Sequence, residues 1–237
     1  MLQLRRSEDR GVADHGWLKS RHTFSFGSYY HPHHMGVSSL RVINDDYVVP
    51  GGGFPTHPHQ DMEILSYVLS GSLEHKDSMG NVRTMKSGEF QLMSAGTGVT
   101  HSEYNPNSHA ELRFLQIWIQ PNQLGVEPGY QQASFPNQSG LTLIAGPETA
   151  ATKDAAEFFH IHQDAYIYRL QAESGETTRV SGSNGRPQYL HVISGTLRVG
   201  DTQLNPGDAL TVTEQTIELL ADTASEALLF DLPPAVN

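Results

Sequence analysis

Four residues in two short segments have the types and the spacing of a metal-binding site. His57 and His59 stand two residues apart, and His101 and Glu103 repeat that spacing further along the chain. Residues i and i+2 share one face of a β-strand, so each pair can point at a common ion. Two neighbouring strands with two ligands each would form a four-ligand site with nitrogen and oxygen donors. Such a site suits Fe, Mn, Ni, Cu, Co or Zn.

Glu63 is an alternative carboxylate ligand, because it has the same strand parity as His57 and His59. If Glu103 is the ligand instead, Glu63 would orient a ligand imidazole through the second nitrogen of that ring. The spacing alone leaves both assignments open.

The remaining H-x-H pairs are weaker candidates, since the chain has 13 histidines. His31, His33 and His34 occupy a Pro-containing segment, which predicts a solvated loop that could contribute to a pocket rim. His160 and His162 alternate on what would be one strand, and one strand alone cannot enclose an ion. We interpret these two as structural or surface residues.

Composition excludes several classes of chemistry. The chain has no cysteine, which rules out disulfides, thiolate metal sites and cysteine nucleophiles. Its formal net charge of −11 disfavours direct binding to nucleic acid and is compatible with a protein partner. Neither an apolar leader nor a run of about 18 apolar residues is found, so we expect a cytoplasmic protein without a membrane span.

Short apolar or alternating runs between turn residues predict an all-β fold. The predicted strands are 38–43, 63–69, 89–93, 113–119, 141–144, 165–171, 189–193, 209–213, 217–220 and 227–232. The Ala-rich segment 148–158 is the one expected short helix.

An internal repeat predicts two copies of one β-unit. Residues 66–73 resemble residues 190–197, each running through a strand into a Gly turn, and the Gly-acid turns at 86–89 and 205–208 follow in the same order. A segment rich in Gln, Pro, Asn and Gly at 120–140 places the division between the copies. We therefore predict domains at 1–125 and 126–237.

Two longer motifs resemble the paired motifs of the cupin superfamily. They are Gly51-x5-His57-x-His59-x3-Glu63-x7-Gly71 and Gly88-x5-Ser94-x-Gly96-x4-His101-x3-Asn105. Further segments closely resemble the pirin family, which shares Ser94 in place of the usual cupin Pro. These segments are 15–18, 22–26, 29–30, 40–46, 56–67, 77–81 and 94–106. The resemblance covers roughly residues 1–120 and is looser beyond them.

The resemblance implies a bicupin, that is, two tandem jelly-roll β-barrels with one metal in the N-terminal barrel. Carried over by motif, the metal ligands are His57, His59, His101 and Glu103, with Fe(II) as the expected ion. Several pirin-like bicupins are quercetinases, which implies a flavonol substrate, O₂ as co-substrate, carbon monoxide as product and Glu103 as ligand and base. Other members imply two alternatives, a metal- or redox-sensing regulator with a protein partner, or another cupin dioxygenase or isomerase.

The second copy lacks the ligand pattern. No H-x-H precedes Gly195, and the strand after Gly207 and Asp208 contains no histidine. We expect this barrel to keep the fold without a metal. Six side chains are expected to wall an apolar pocket beside the metal, namely Phe24, Phe26, Tyr29, Tyr30, Phe54 and Met93.

Overall fold

A computed structural model of the chain describes residues 2–150, 157–182 and 185–234. Within these residues the regular structure is almost entirely β, as the sequence predicts. The first ten strands are β1 (Leu2–Arg5), β2 (Gly11–Asp14), β3 (Leu18–His22), β4 (Leu40–Val48), β5 (Gly53–Ser70), β6 (Ser72–Asp77), β7 (Val82–Lys86), β8 (Glu89–Tyr104), β9 (Leu112–Ile119) and β10 (Gly129–Ser134). The other ten are β11 (Gly140–Gly146), β12 (Phe159–His160), β13 (Tyr166–Ala172), β14 (Thr177–Ser181), β15 (Gln188–Ser194), β16 (Leu197–Val199), β17 (Thr202–Leu204), β18 (Ala209–Val212), β19 (Thr216–Ala221) and β20 (Ser225–Asp231).

Helical structure is limited to two short 3-10 turns in the described residues, Ser7–Asp9 and Glu148–Ala150. Within the segment 148–158 expected to be helical, the described residues form only the 3-10 turn Glu148–Ala150, residues 157–158 are not helical, and residues 151–156 lie outside the described part of the chain. No helix of the described residues is long and apolar enough to cross a membrane.

The chain divides into two compact units. The N-terminal unit comprises residues 11–36 and 40–135, and the C-terminal unit comprises residues 1–10, 37–39 and 136–237. The division at Phe135 and Pro136 lies ten residues beyond the boundary expected after residue 125. The first residues also depart from that expectation, because β1 pairs with β18 in the C-terminal unit, Leu2 opposite Val212.

The N-terminal unit is built on one sheet with the strand order β2-β3-β4-β9-β5-β8-β6-β7, and β10 also pairs with β8. Its apolar core includes Val48, Val68, Leu73 and Phe114, all at most 1% exposed. Burying side chains of this size stabilises the fold by about 1.5–3 kcal/mol each. The packed core therefore holds β5 and β8 in a fixed position within the sheet.

The C-terminal unit has a seven-stranded sheet in the order β1-β18-β15-β20-β13-β11-β12 and a four-stranded sheet in the order β14-β19-β16-β17. Its core includes Leu190, Leu197, Leu210 and Leu229, contributed by both sheets. Inward residues alternate with outward ones along β19, as expected for a strand with one face on a core.

The repeat seen in the sequence has matching backbone geometry. Gly71 and Gly195 end the equivalent strands β5 and β15 with φ of +79° and +73°. An added Cβ at Gly71 would lie 2.6 Å from the Glu111 carbonyl oxygen, and one at Gly195 would collide with the Ala224 carbonyl oxygen. The same strand end and the same close approach therefore occur in both units, which requires glycine at both positions.

Candidate metal centre

Two long antiparallel strands position the histidines. β5 pairs with β8 so that His57 lies opposite His101, Phe54 opposite Glu103 and His59 opposite Val99. The two i, i+2 pairs therefore lie on neighbouring strands, and His57 and His101 are directly opposite each other.

Register irregularities flank the site on β5. The pairing with β8 shifts between Phe54 and His57 and again between His59 and Asp61. Asp61 has a φ of +62°, and its side chain accepts a hydrogen bond from the Gly125 amide at 2.7 Å. Bulges of this kind bend a strand and redirect its side chains. Between the two shifts, the regularly paired residues of β5 are His57 to His59, which carry the imidazoles.

The three imidazoles form a close cluster. Their ring centroids are 4.5 Å apart for His57 and His101, 4.8 Å for His57 and His59, and 4.9 Å for His59 and His101. One nitrogen from each ring lies within 4.8 Å of the others. Three nitrogen donors that converge in this way are a common arrangement for a divalent metal.

Hydrogen bonds fix which nitrogens face the centre. His57 Nδ1 lies 2.8 Å from the Pro55 carbonyl oxygen, which only accepts, so Nδ1 carries the proton. His75 Nε2 donates to Asp77 Oδ2 at 2.9 Å, which leaves His75 Nδ1 to accept from His101 Nδ1 at 3.5 Å. The Nε2 atoms of His57 and His101 are then both unprotonated.

These two unprotonated nitrogens lie 3.0 Å apart. Their lone pairs repel each other at this distance unless a cation lies between them. Two imidazoles bound to one ion at about 2.1 Å have nitrogens roughly 3 Å apart. The donor set and its hydrogen bonding therefore fit a divalent metal.

Burial lowers the pKa of two imidazoles of the cluster. For His59, burial together with the neighbouring His57 lowers the pKa to about 4. Burial also lowers the pKa of His101 to about 2, assisted by His57 and His59. Neutral imidazole is the form that binds metals, so the rings of His59 and His101 are in that form at neutral pH.

Glu103 is placed differently from the histidine cluster. It is fully buried, and its carboxylate falls in a second group of potential ligands with His75 and His101 rather than with His57 and His59. Burial raises the pKa of Glu103 to about 7.

Three neutral side chains hold the Glu103 carboxylate in place. Gln116 donates to Oε2 at 2.9 Å, while Gln91 and Ser66 donate to Oε1 at 3.2 and 3.3 Å. These three residues were not singled out in the sequence. The signal for Gln91 and Gln116 was polarity on strands whose neighbours are apolar, which is a weak signal without knowledge of the register.

Glu63 is fully buried and accepts a 2.6 Å hydrogen bond from the Ser94 hydroxyl. The Pro55 carbonyl and His75 contact the imidazoles of His57 and His101. His75 and Asp77 were not expected at the site. They repeat the i, i+2 spacing on β6, where Asp77 lies opposite His101 and His75 opposite Glu103.

A mainly apolar cavity of about 360 Å³ opens beside His57 and His59. Of the six aromatic and sulfur side chains expected around the pocket, Phe26 and Phe54 line it, whereas Met93 packs in a core cluster with Ile64. Tyr30 is 71% exposed. The cavity wall also includes Trp118, whose ring lies 5.1 Å from that of His59 and which the sequence did not indicate.

The other candidate histidines stand apart from the centre. His31, His33 and His34 lie in a loop and contact one another, and β12 ends at His160. In residues 2–150, 157–182 and 185–234, the groups of potential metal ligands include none of these and none from the C-terminal unit.

Comparison with known proteins agrees with this arrangement. The family model described as "Pirin" matches residues 3–119, and the one described as "Quercetinase C-terminal cupin domain" matches residues 149–232. Two β-units of this kind, with a histidine centre in one of them, define a bicupin. The chain belongs to the pirin family.

Individual relatives support the same placement over the whole chain. The protein named quercetin 2,3-dioxygenase from Escherichia coli (strain K12) is 46% identical over 235 residues, which cover 99% of this chain and 100% of the relative. A pirin-like protein from Caulobacter vibrioides is 39% identical over 98% of this chain and 99% of its own length. The crystal structure of the bacterial pirin YhhW from Escherichia coli in complex with nickel(II) has a TM-score of 0.93 and 45% identity, with 99% of this chain and 100% of that chain covered. The nickel complex and the histidine cluster together support metal binding by the present chain.

Proposed function

We propose that the protein is a metal-dependent dioxygenase that cleaves the ring of a flavonol such as quercetin and releases carbon monoxide. The observation that carries the proposal is the cluster of three imidazoles at the edge of an apolar cavity. Such a cavity accepts a flat aromatic molecule and places one end of it beside the cluster. The name of the 46% identical Escherichia coli relative supports the same reaction.

His57, His59 and His101 are the proposed metal ligands, with Glu103 as the fourth and Fe(II) as the proposed ion. Zn, Mn, Ni, Co and Cu have the same preference for nitrogen and oxygen donors and are the alternatives. When bound, the metal would act as a Lewis acid on the flavonol 3-hydroxyl.

The overall reaction balances without a further reductant. One flavonol and one O₂ give one ring-opened ester and one carbon monoxide. Two carbon–carbon bonds of the central ring break, both atoms of O₂ enter the ester product, and carbon 3 leaves with its own oxygen.

Glu103 is proposed as the acceptor of the 3-hydroxyl proton. Its carboxylate is shielded from water, and its hydrogen-bond partners Ser66, Gln91 and Gln116 are all uncharged. An anionic carboxylate with only neutral donors around it is a better base than one that is paired with Arg or Lys. The cavity wall of Phe26, Phe54 and Trp118 excludes water from the bound ring.

The proposal is tested by loading the metal-free protein with each candidate metal and following quercetin loss at its visible absorption band. We expect one metal to support turnover and His101→Ala to reduce it by at least about a hundredfold, because one proposed ligand is lost. His109→Ala is the matched control, since this histidine is exposed in the same unit. Metal binding without turnover of quercetin by any loaded form would contradict the proposal and favour a regulatory role.

A further inference from the structure

One wall of the cavity is polar although the rest is mainly apolar. Ser20 and His22 on β3 lie opposite Asp46 and Asn44 on β4, and all four side chains line the cavity. Each of the four residues is at most 6% exposed. We call these four residues the polar wall. Burying them is costly unless each polar atom has a partner.

The hydrogen bonds within the polar wall run in one direction. The Asn44 side-chain oxygen lies 2.8 Å from His22 Nδ1 and only accepts, so His22 Nδ1 is the donor. Ser20 Oγ lies 3.2 Å from the same nitrogen and also hydrogen-bonds to Asp46. Because His22 Nδ1 already carries the proton, the Ser20 hydroxyl donates to the Asp46 carboxylate.

After these hydrogen bonds, one oxygen of the Asp46 carboxylate has no donor among the described residues. Within the described part of the chain, Asp46 Oδ1 is buried and has no hydrogen-bond partner. The indole Nε1 of Trp118, which lines the same cavity, is also buried and unpartnered among those residues. A ligand that offers a hydroxyl donor and an oxygen acceptor would complement both atoms.

The adjacent carboxylate on β4 is paired with a cation. Asp45 makes two 2.9 Å hydrogen bonds to the Arg113 guanidinium. Asp46 receives no such cation and instead has a raised pKa of about 7, mainly from burial. An isolated buried carboxylate is destabilising and is characteristic of a binding site.

We propose that the polar wall is a recognition subsite for a hydroxyl group of a polyhydroxylated flavonol other than its 3-hydroxyl, with Asp46 as the acceptor. This inference rests on the proposed dioxygenase function and names the substrate feature that the site selects. Asp46 is thus a specificity-determining residue, and Trp118 donates to an oxygen of the same ligand.

The test compares flavonols that differ only in their hydroxyl groups. Quercetin, galangin (which lacks both hydroxyls of the pendant ring) and fisetin (which lacks the 5-hydroxyl) are titrated without O₂ into nickel-loaded protein, and binding is followed by the visible absorption of the flavonol. The wild type should bind at least one of the two analogues about tenfold more weakly than quercetin, the effect of one hydrogen bond to a charged acceptor. Asp46→Ala should reduce that ratio to less than about threefold.

Two further variants keep the result interpretable. Asp46→Asn preserves the side-chain shape, and we expect an intermediate ratio because a neutral acceptor remains. Asp45→Asn removes the adjacent carboxylate, and it should retain the wild-type ratio.

The possible failures are distinguishable. A wild type that binds all three flavonols equally, or an Asp46→Ala variant with the wild-type ratio, would overturn the inference and leave the proposed dioxygenase standing. An equal loss of the ratio in Asp45→Asn would also overturn it. A wild type that binds no flavonol would overturn the proposed function together with this inference.

Discussion

At the scale of single residues, the tautomer of His101 depends on a pair of side chains on β6. Asp77 accepts from His75 Nε2, and His75 in turn accepts from His101 Nδ1. Asp77→Asn would present an amide N–H to His75 Nε2, which forces the His75 proton onto Nδ1 and removes the acceptor for His101. We expect the affinity for nickel(II) to fall by about tenfold to a hundredfold. Isothermal titration calorimetry measures this change.

The control for that substitution lies on the same strand. Glu74→Gln removes a carboxylate whose ion-pair partner is the exposed Lys76. Nickel affinity should be unchanged in this variant. Equal affinity in Asp77→Asn and the wild type would show that the β6 pair does not orient His101.

Asp46 gives a prediction about pH. Its pKa is raised from 3.8 to about 7 by burial, so the folded state prefers the protonated form more strongly than the unfolded state does. The folded state therefore loses stability as pH rises from about 4 to 7, and the full cost is present above pH 7. Asp46→Asn removes that cost. Its free energy of unfolding, relative to that of the wild type, should therefore rise by about 1–4 kcal/mol between pH 4 and pH 8.

Chemical denaturation of both metal-loaded proteins across this pH range measures the difference. Asp45→Asn should instead be less stable than the wild type at pH 7, because Arg113 loses its partner. A constant difference between Asp46→Asn and the wild type at all pH values would contradict the assignment of a buried, unpaired carboxylate.

The residue scale is also where sequence reasoning was most and least successful. The spacing of His57, His59 and His101 predicted a cluster because side-chain parity within a strand is a local property. The place of Glu103, and the roles of His75 and Asp46, depend on which strands are neighbours and in which register. That information is not contained in any single segment.

At the scale of elements, the sequence predicted only the apolar parts of the two strands that carry the site. The expected run 63–69 is the C-terminal part of β5 (Gly53–Ser70), and the expected run 89–93 is the N-terminal part of β8 (Glu89–Tyr104). Their other halves contain Pro and Gly residues, which usually indicate turns. Bulges accommodate these residues, so the segment with the strongest chemical signal had the weakest strand signal.

The Gly71 turn provides a test at this scale. Ala at this position would meet both a positive φ and the Glu111 carbonyl oxygen. We expect Gly71→Ala to lower the free energy of unfolding by about 2–4 kcal/mol, because the left-handed conformation costs 1–2 kcal/mol and the contact adds to it. Denaturant titration provides the measurement.

Gly80→Ala separates the two contributions. Gly80 has a φ of +95°, but a Cβ there would meet no atom within 4 Å. This variant should lose less stability than Gly71→Ala. Equal losses would mean that the backbone conformation alone, rather than the close approach to Glu111, requires glycine at the strand end.

At the scale of the whole molecule, the two-unit architecture was predictable because the repeat lies within continuous segments. The assignment of the first ten residues was not, because β1 pairs with a strand some two hundred residues away in the sequence. The Asp208 carboxylate also accepts hydrogen bonds from the Ser7 amide and the Arg6 side chain, each at 2.8 Å. The N-terminus therefore completes the C-terminal unit.

Deletion of residues 2–10 tests this conclusion. Strand β18 (Ala209–Val212) would lose one of its two neighbours, so we expect its amides to exchange with deuterium at least about ten times faster. The amides of β14 (Thr177–Ser181), which belong to the other sheet of the same unit, provide the internal reference. Unchanged exchange in β18 would show that β1 does not stabilise this sheet.

The most direct test of the proposed dioxygenase is the amount of carbon monoxide released per quercetin consumed by the iron-loaded protein. Quercetin can lose its colour by simple oxidation, whereas release of carbon monoxide requires cleavage of both carbon–carbon bonds of carbon 3. We expect one carbon monoxide per quercetin, with both atoms of ¹⁸O₂ in the ester product, and none from His101→Ala. Loss of quercetin without carbon monoxide, or equal release by His101→Ala, would contradict a ring-cleaving reaction at this centre.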